Sequence, residues 1–223
     1  MLRCSNATVR RDIAILEEQQ QIKRVGSCIM MPQSNMIASR VEANTYAKGL
    51  IGKMGAAQVA DNDVVYMDSS TTVAEMADYI PQNMSFTVVT NSLMIASKLE
   101  NFYRINIIVL GGTLRHGTSR LSGSITVNTL HDMTFRKAFF GAAAISNDGD
   151  VMFYDIEDID LRKNILSRSN EIFVLADHSK FFAPGLQTVI KASTHYTLIT
   201  DELPENYLNF AQSTGIKILM ANK

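Results

Sequence analysis

Between residues 44 and 110 the sequence alternates three times between a helical pattern and an apolar strand pattern. The helical segments cover about residues 44–60, 72–79 and 92–99, and the strand segments cover residues 64–68, 86–89 and 105–110. Helices joined to strands by short loops are typical of a parallel sheet with right-handed crossovers. Further strands are predicted at about residues 136–142, 171–176, 196–200 and 216–220, and helices at about 158–168 and 205–214. The alternation therefore predicts an α/β fold with a parallel sheet.

The first of these strands leads into an acid and a run of hydroxyl side chains, namely Asp68, Ser69, Ser70, Thr71 and Thr72. In an open α/β sheet, ligands bind outside the carboxyl ends of the strands. The N–H groups that open the next helix attract a phosphate or a carboxylate, and hydroxyl groups add donors. An ordinary helix cap also uses Ser or Thr, but one hydroxyl is enough for it. The segment favours an anion-binding loop, with the simple cap as the alternative.

Other predicted strands also end in polar residues or glycine. The second and third strands lead into Thr90, Asn91, Ser92, Gly111 and Gly112. A later strand leads into the segment of residues 176–180, in which Lys180 would supply a cation for a phosphate or carbonyl oxygen. Glycine lets a ligand approach the backbone, and Asn and hydroxyl side chains hydrogen bond to a polyol. Because parallel strand ends share one sheet edge, we expect these residues to line one site.

The N-terminal residues predict a separate, basic element. A helix is expected from Ser5 to about Gln20, with Val9, Ile13 and Leu16 on one face, and two short strands are expected at residues 22–25 and 29–31. A polar helix followed by a basic hairpin suits a recognition helix in the DNA major groove with a wing on the phosphates. A solvated amphipathic helix docked on the main domain is the alternative.

Composition bounds the class of protein. Of the 223 residues, 46% are hydrophobic and 19% are charged, which suits a globular protein with one core and a small appendage. No apolar run approaches the ~20 residues needed to span a bilayer, and the N-terminus lacks the apolar centre of a secretion signal. Cys4 and Cys28 make neither a disulfide framework nor a zinc pattern. We therefore expect a cytoplasmic protein without a metal, cofactor or membrane partner.

The segment SNATVRRDIAILEEQQQIKRV resembles the recognition helix and the start of the wing in DeoR-type transcriptional regulators. The resemblance implies a partial winged helix-turn-helix over residues 1–32, a linker over 33–43 and an effector domain over 44–223. It implies DNA contacts from Ser5, Asn6, Thr8, Arg10, Arg11, Lys23 and Arg24. The family places two further helices ahead of this point, so we expect operator DNA binding by the given chain to be weak or absent.

The effector domain resembles the same family in the motifs at residues 68–72, 90–92, 111–112, 121–123, 139–141 and 177–181. The resemblance implies a Rossmann-like sheet similar to sugar-phosphate isomerases and CoA transferases, and a phosphorylated sugar as effector. Three positions depart from the family: Ser70 replaces a glycine, and Asp158 and Arg162 stand where a Glu and a Lys are usual. The implied effector-binding residues are Asp68, Ser69, Ser70, Thr71, Thr72, Thr90, Asn91, Ser92, Gly111, Gly112, Gly123, Asp158 and Lys180.

Taken together, these features predict a DNA-binding repressor of carbohydrate metabolism that senses a phosphorylated sugar and forms a homo-oligomer, a dimer or a tetramer. A sugar-phosphate isomerase-like enzyme is the alternative that the fold suggests, but no spacing of carboxylates or histidines marks an acid/base pair, so we expect no catalytic residue. A further alternative is a dimerisation partner that does not bind DNA.

Overall fold

The computed structural model of the chain describes residues 6–18, 23–25, 28–30, 39–130 and 132–221. In the N-terminal segment, helix α1 (Asn6–Glu18) precedes an antiparallel hairpin of β1 (Lys23–Val25) and β2 (Cys28–Met30). The predicted helix and hairpin are therefore confirmed. Ser5 lies outside the described residues, as does most of the expected linker, although residues 39–42, which we expected to be irregular, are helical.

Helix α1 exposes the side chains that the resemblance assigns to DNA. Thr8, Arg10 and Arg11 are exposed, whereas Ile13 is half-buried. Val9, on the apolar face, is 44% exposed. The helix therefore carries a polar, basic face beside an apolar stripe that is only partly covered.

The larger unit begins at Asn44 and holds the sheet. Its helices are α2 (Thr45–Ala56), α3 (Thr71–Ala74), α4 (Leu93–Leu99), α5 (Ser124–Thr129), α6 (Ile159–Leu166) and α7 (Glu205–Thr214). Its strands are β3 (Val64–Met67), β4 (Thr87–Thr90), β5 (Asn106–Val109), β6 (Thr113–Arg115), β7 (Arg120–Ser122), β8 (Phe135–Gly141), β9 (Ala144–Ile145), β10 (Val151–Phe153), β11 (Ser169–Leu175), β12 (Gln187–Ile190), β13 (Thr197–Thr200) and β14 (Lys217–Met220).

A seven-stranded parallel sheet in the order β14-β13-β11-β8-β3-β4-β5 forms the centre of this unit. The strand order reverses between β3 and β8, because the chain runs from β3 to β4 and β5 on one side and then returns to β8 on the other. This reversal is the topological switch point, where open α/β sheets bind ligands. The α/β fold predicted from the alternating pattern is confirmed.

The central strands of the sheet are buried on both faces, as is typical of parallel sheets. Val65 and Met67 of β3 pack into one hydrophobic cluster, whereas Tyr66 packs into the other, on the opposite face. The same alternation puts Phe139 of β8 in the first cluster and Phe140 in the second. Because the two-residue period gives each face its own core, the central strands lie between two apolar layers.

Several elements differ from the sequence expectations. The helix predicted over 72–79 is a short α-helix, α3, followed by a 3₁₀ turn at Glu75–Tyr79. The antiparallel sheets β12-β10-β9 and β6-β7, and helix α5, were not expected from the sequence. These strands have only two to four residues, which is too short for a two-residue period to stand out from loop sequence. None of the described helices is long and apolar enough to cross a membrane.

Candidate functional site

The switch point is closed by hydrogen bonds between the ends of β3 and β8. The backbone N–H of Asp68 donates to the carbonyl of Phe139 at 3.0 Å, and the N–H of Gly141 donates to Asp68 Oδ2 at 3.2 Å. Asp68 is only 3% exposed. A Cβ on Gly141 would lie 2.3 Å from the Cβ and Oγ of Ser70. The loop after β3 therefore packs directly against the end of β8.

Ser70 caps the short helix that follows this loop. Its Oγ accepts a hydrogen bond from the N–H of Val73 at 3.0 Å. Thr71 and Thr72, the next two residues, are each 6% exposed. The local explanation, a helix cap, thus accounts for one hydroxyl of the run, and the hydroxyls of Ser69, Thr71 and Thr72 are beyond what a cap needs.

The polar residues after β4 hold the neighbouring strand ends in place. Thr90 Oγ1 donates to the carbonyl of Met67 at 2.7 Å and accepts from the N–H of Ser92 at 3.0 Å. Asn91 is buried, accepts a hydrogen bond from the Tyr66 hydroxyl at 3.0 Å and donates to the carbonyl of Leu121 at 2.9 Å. These bonds fix the loop geometry, and a role of these residues in ligand binding stays a prediction.

The expected glycines have conformational reasons of their own. Gly112 has a φ of 135°, and a Cβ there would lie 2.1 Å from Thr126 Oγ1. Gly123, just before α5, has a φ of 102° and no atom within 4 Å of its Cβ position. Side chains rarely adopt such φ values, so both positions favour glycine whether or not a ligand approaches them.

A group of charged side chains, buried except for Asp155, connects β7 with the segment between β10 and α6. Arg120, on β7, forms ion pairs with Asp155 through Nη1 at 2.5 Å and with Asp158 through Nε at 3.0 Å. Arg162, one turn along α6 from Asp158, has its Nη2 4.0 Å from Asp158 Oδ2. The Arg162 guanidinium also lies 4.2 Å over the ring of Phe153, a cation–π distance. We call Arg120, Asp155, Asp158 and Arg162 the charge cluster.

The protonation of this cluster reflects burial and mutual charge. Burial raises the pKa of Asp158, and the charges of Arg120 and Arg162 oppose that rise without cancelling it. Asp68 also raises this pKa, so its carboxylate lies close enough to act on Asp158. Burial and then Asp68 raise the pKa of Tyr66 well above its usual value. The charge cluster and the loop after β3 thus share one electrostatic environment.

A second polar group lies at the end of β11, two strands away from β3. Asp177 is fully buried and accepts hydrogen bonds on Oδ1 from Asn44 at 2.8 Å and from the N–H of Ser179 at 3.0 Å. Lys180 Nζ lies 3.9 Å from Asp177 Oδ2. Burial alone would raise the pKa of Asp177, but the Ser179 hydrogen bonds, the Lys180 charge and Asn44 lower it overall. Asp177 is therefore a carboxylate, and it orients the side chains of Asn44 and Lys180.

The structure places the strand ends that carry Asp68, Asn91, Gly111 and Lys180 at one edge of the parallel sheet, and it shows a buried arginine, Arg120, that the sequence did not single out. Asp68, Asn91 and Asp158 are linked through Tyr66 and the electrostatics of the charge cluster. Arg120 was missed because it lies on a three-residue strand and its partners follow 35 and 38 positions later. A lone arginine before an apolar residue carries no sequence signal. Among the described residues, no group of three or more His, Cys, Asp or Glu side chains is placed to hold a metal ion.

Comparison with known proteins gives the family. The model of the DeoR C-terminal sensor domain matches residues 43–202, and that of the DeoR-like helix-turn-helix domain matches residues 1–35. The chain is 29% identical to the HTH-type transcriptional repressor GlcR of Bacillus subtilis over 228 aligned positions, covering 100% of this chain and 88% of that protein. It is 26% identical to the glycerol-3-phosphate regulon repressor of Haemophilus influenzae, covering 98% and 86%.

Among solved structures, the chain is similar to ribose-5-phosphate isomerase A from Neisseria gonorrhoeae, with a TM-score of 0.45 and 13% identity over 61% of this chain and 53% of that one. The sensor-domain match alone spans most of the chain and contains every part of the site described above. The helix-turn-helix match contains α1 and its hairpin. The chain therefore belongs to the DeoR family of transcriptional regulators, with a DNA-binding segment at its N-terminus and a sensor domain after it.

Proposed function

We propose that this protein is a repressor of carbohydrate metabolism whose sensor domain binds a phosphorylated sugar. The observation that carries the proposal is the convergence of buried polar and charged side chains on the switch point of the sheet. Ligands of open α/β sheets bind there, and buried polar groups without full partners favour a polar ligand. Relatives named as repressors, one of them of a glycerol-3-phosphate regulon, support the same function.

The phosphate would bind at the loop of Ser69, Ser70, Thr71 and Thr72. Three hydroxyls of this loop are not needed for the cap, and the backbone N–H groups of α3 open towards the same end of β3. Lys180, oriented by Asp177, is the cation that we assign to the ligand at the end of β11. Lys48, on α2 one turn after Asn44, adds a second positive charge that is 4% exposed. Charge-assisted hydrogen bonds of this kind are about twice as strong as neutral ones.

We infer that the protein works in the cytoplasm as a homo-oligomer, a dimer or a tetramer, because operators read by helix-turn-helix proteins mirror the two-fold symmetry of the protein. Light scattering of the purified protein measures its mass directly. A monomer at micromolar concentration would contradict this part of the proposal.

Calorimetry tests the ligand class. Glucose 6-phosphate, fructose 6-phosphate and ribose 5-phosphate are each compared with the parent sugar, and at least one phosphate should bind about tenfold or more tightly than its parent. The Thr71→Ala/Thr72→Ala variant should lose this preference. Thr129→Ala is the control, because the Thr129 hydroxyl bonds within its own helix to the carbonyl of Ile125.

Two results would contradict the proposal. One is equal affinity for a sugar phosphate and its parent sugar, and the other is an unchanged preference for the sugar phosphate in the Thr71→Ala/Thr72→Ala variant.

The same mixtures, followed by NMR, report aldose–ketose exchange. We expect no exchange rate above the protein-free blank. Exchange that is abolished by Asp68→Asn or Asp158→Asn would show that the protein is an enzyme and not a regulator.

A further inference from the structure

Arg120 occupies an unusual position for an arginine on a short strand. Its side chain is 7% exposed, and its guanidinium lies between the carboxylates of Asp155 and Asp158, which come from the segment between β10 and α6. The Asp158 side chain is 2% exposed. Buried ion pairs of this kind offset their desolvation only when hydrogen bonds satisfy their remaining donors and acceptors.

In this pair those hydrogen bonds are incomplete. Arg120 Nε and both carboxylate oxygens of Asp158 make no hydrogen bond to any residue in the described part of the chain. Nε lies 3.0 Å from Asp158 Oδ2, so the distance suits a bond, but the orientation does not. One buried N–H donor and one buried carboxylate acceptor therefore lie side by side, and each is able to form a further hydrogen bond. Leaving such groups unsatisfied is costly, and a bound molecule that both donates and accepts would satisfy them.

The position of the pair connects it with the proposed phosphate loop. Strand β7 is joined to the end of β4 by a bridge between Ser92 and Arg120 and by the hydrogen bond from Leu121 N–H to the Asn91 carbonyl at 2.8 Å. The carboxylate of Asp68, the first residue of that loop, contributes to raising the pKa of both Arg120 and Asp158. The pair therefore lies beside the end of β4, the strand next to β3 and its loop.

The charges around the pair determine what kind of group it can take. Two guanidinium groups, of Arg120 and Arg162, already lie against two carboxylates, of Asp155 and Asp158. Arg162 is further engaged with the Phe153 ring. A second anionic group of a ligand would compete with these carboxylates for the same guanidinium groups, whereas neutral hydroxyl groups would not. A hydroxyl is also a neutral group that donates and accepts at the same atom.

We propose that Arg120 and Asp158 together bind adjacent hydroxyl groups of the sugar. Arg120 Nε donates to one sugar oxygen, and a sugar hydroxyl donates to the Asp158 carboxylate. The ligand is accordingly a sugar monophosphate, and sugar bisphosphates and phosphorylated sugar acids are rejected at this end of the site. This inference rests on the proposed function, since it assumes that a phosphate binds at the loop after β3.

Calorimetry on the full chain tests the ligand class first. The probes are glucose 6-phosphate, fructose 6-phosphate and ribose 5-phosphate, with inorganic phosphate, fructose 1,6-bisphosphate and 6-phosphogluconate for comparison. At least one monophosphate should bind about tenfold or more tightly than inorganic phosphate, the bisphosphate and the sugar acid. If no probe binds, the proposed function fails. If phosphate binds and the monophosphates gain nothing over it, or if the bisphosphate or the sugar acid binds as tightly, only the present inference fails.

Variants then test the two residues. Arg120→Lys keeps the positive charge and removes the Nε donor, and Asp158→Asn keeps the shape and removes the negative charge. Each should weaken monophosphate binding about tenfold or more while affinity for inorganic phosphate stays within about twofold. Arg115→Lys is the matched control, because Arg115 lies on the paired strand β6 and forms an ion pair with Glu157 that is exposed to solvent.

A melting curve for each variant shows whether it is folded. If Arg120→Lys does not fold, Asp158→Asn carries the test, and if neither folds, the probe comparison on the unchanged protein decides. Unchanged monophosphate affinity in a folded Arg120→Lys variant would overturn the assignment. A loss of monophosphate and inorganic phosphate affinity in equal measure would also overturn it, because that pattern indicates general damage to the site.

Discussion

At the scale of single residues, the site is shaped by how closely two strand ends approach. Gly141 ends β8 and Ser70 lies in the loop after β3, and a methyl group on Gly141 would lie 2.3 Å from the Ser70 side chain. Ser70 stands where the resemblance implies a glycine. The structure shows what the serine contacts: it fills the space against Gly141 and caps α3.

We predict that Gly141→Ala lowers the free energy of unfolding by about 1–3 kcal/mol, because overpacking in a buried site forces the neighbours apart. Ser70→Gly should cost only a few tenths of a kcal/mol, since glycine is tolerated at a cap. Combined with Gly141→Ala, it should restore most of the lost stability by removing the clash. Urea unfolding of the two single variants and the double variant measures this coupling.

Gly111→Ala is the control, because the nearest atom to a Cβ there is at 3.4 Å, an ordinary contact. A Gly141→Ala variant as stable as the unchanged protein would show that the two strand ends are further apart than described. A double variant no more stable than Gly141→Ala alone would show that Ser70 is not the obstructing group.

At the scale of elements, the resemblance implies that helix α1 contacts the bases of DNA and that the hairpin after it contacts the phosphates. Thr8, Arg10 and Arg11 lie on the exposed face of α1, as a helix in the major groove requires. Lys23 and Arg24 lie on β1, the first strand of the hairpin. Base contacts provide sequence preference, whereas phosphate contacts provide affinity that depends on salt.

We therefore predict different effects from changes in the two elements. In a fusion that restores the two family helices ahead of α1, Arg10→Ala/Arg11→Ala should reduce the preference for a family-type operator over scrambled DNA, by about 1–3 kcal/mol for each arginine that reads a base. Lys23→Ala/Arg24→Ala should weaken binding to both DNAs equally and lower the salt slope of log K by about 2, because each phosphate bound by a basic side chain contributes about 0.9.

Mobility-shift titrations at several salt concentrations measure both effects, with Lys53→Ala, an exposed lysine of α2, as the control. Identical effects of the two double variants on both DNAs would contradict this division between helix and hairpin. An operator preference unchanged in Arg10→Ala/Arg11→Ala would show that α1 does not read the bases.

At the scale of the whole molecule, a regulator must link its sensor domain to its DNA-binding segment. This coupling is a free energy shared by both sites, so it acts equally in both directions. If a sugar phosphate weakens operator binding by some factor, then operator DNA must weaken sugar-phosphate binding by the same factor. Typical couplings are about 1–3 kcal/mol, or roughly 5-fold to 150-fold.

In the same fusion, we expect the sugar phosphate that binds most tightly to reduce operator affinity within this range. Fluorescence anisotropy of labelled operator, with and without the saturating sugar phosphate, gives one factor. Calorimetry of the sugar phosphate, with and without operator, gives the other. The parent sugar without phosphate is the control. Operator affinity that does not respond to any sugar phosphate would separate ligand binding from regulation.

The sequence by itself predicted the seven strands of the parallel sheet and indicated the family. The central strands of this sheet are buried on both faces, so each reads as a strong apolar run. Polar residues directly after a strand, such as Asp68 and Asn91, were predictable because strand ends of a parallel sheet share one edge. The motif in α1 identified the DNA-binding segment because its residues are close in sequence.

Only the tertiary structure decided which distant residues meet. Asn44 reaches Asp177 across 133 positions, and Arg120 reaches Asp155 across 35. Such contacts depend on how β7, β10 and β11 are arranged in space, and the first two are too short to produce a periodic signal. The unsatisfied Arg120–Asp158 pair is likewise invisible in sequence, because hydrogen bonding depends on orientation as well as on distance.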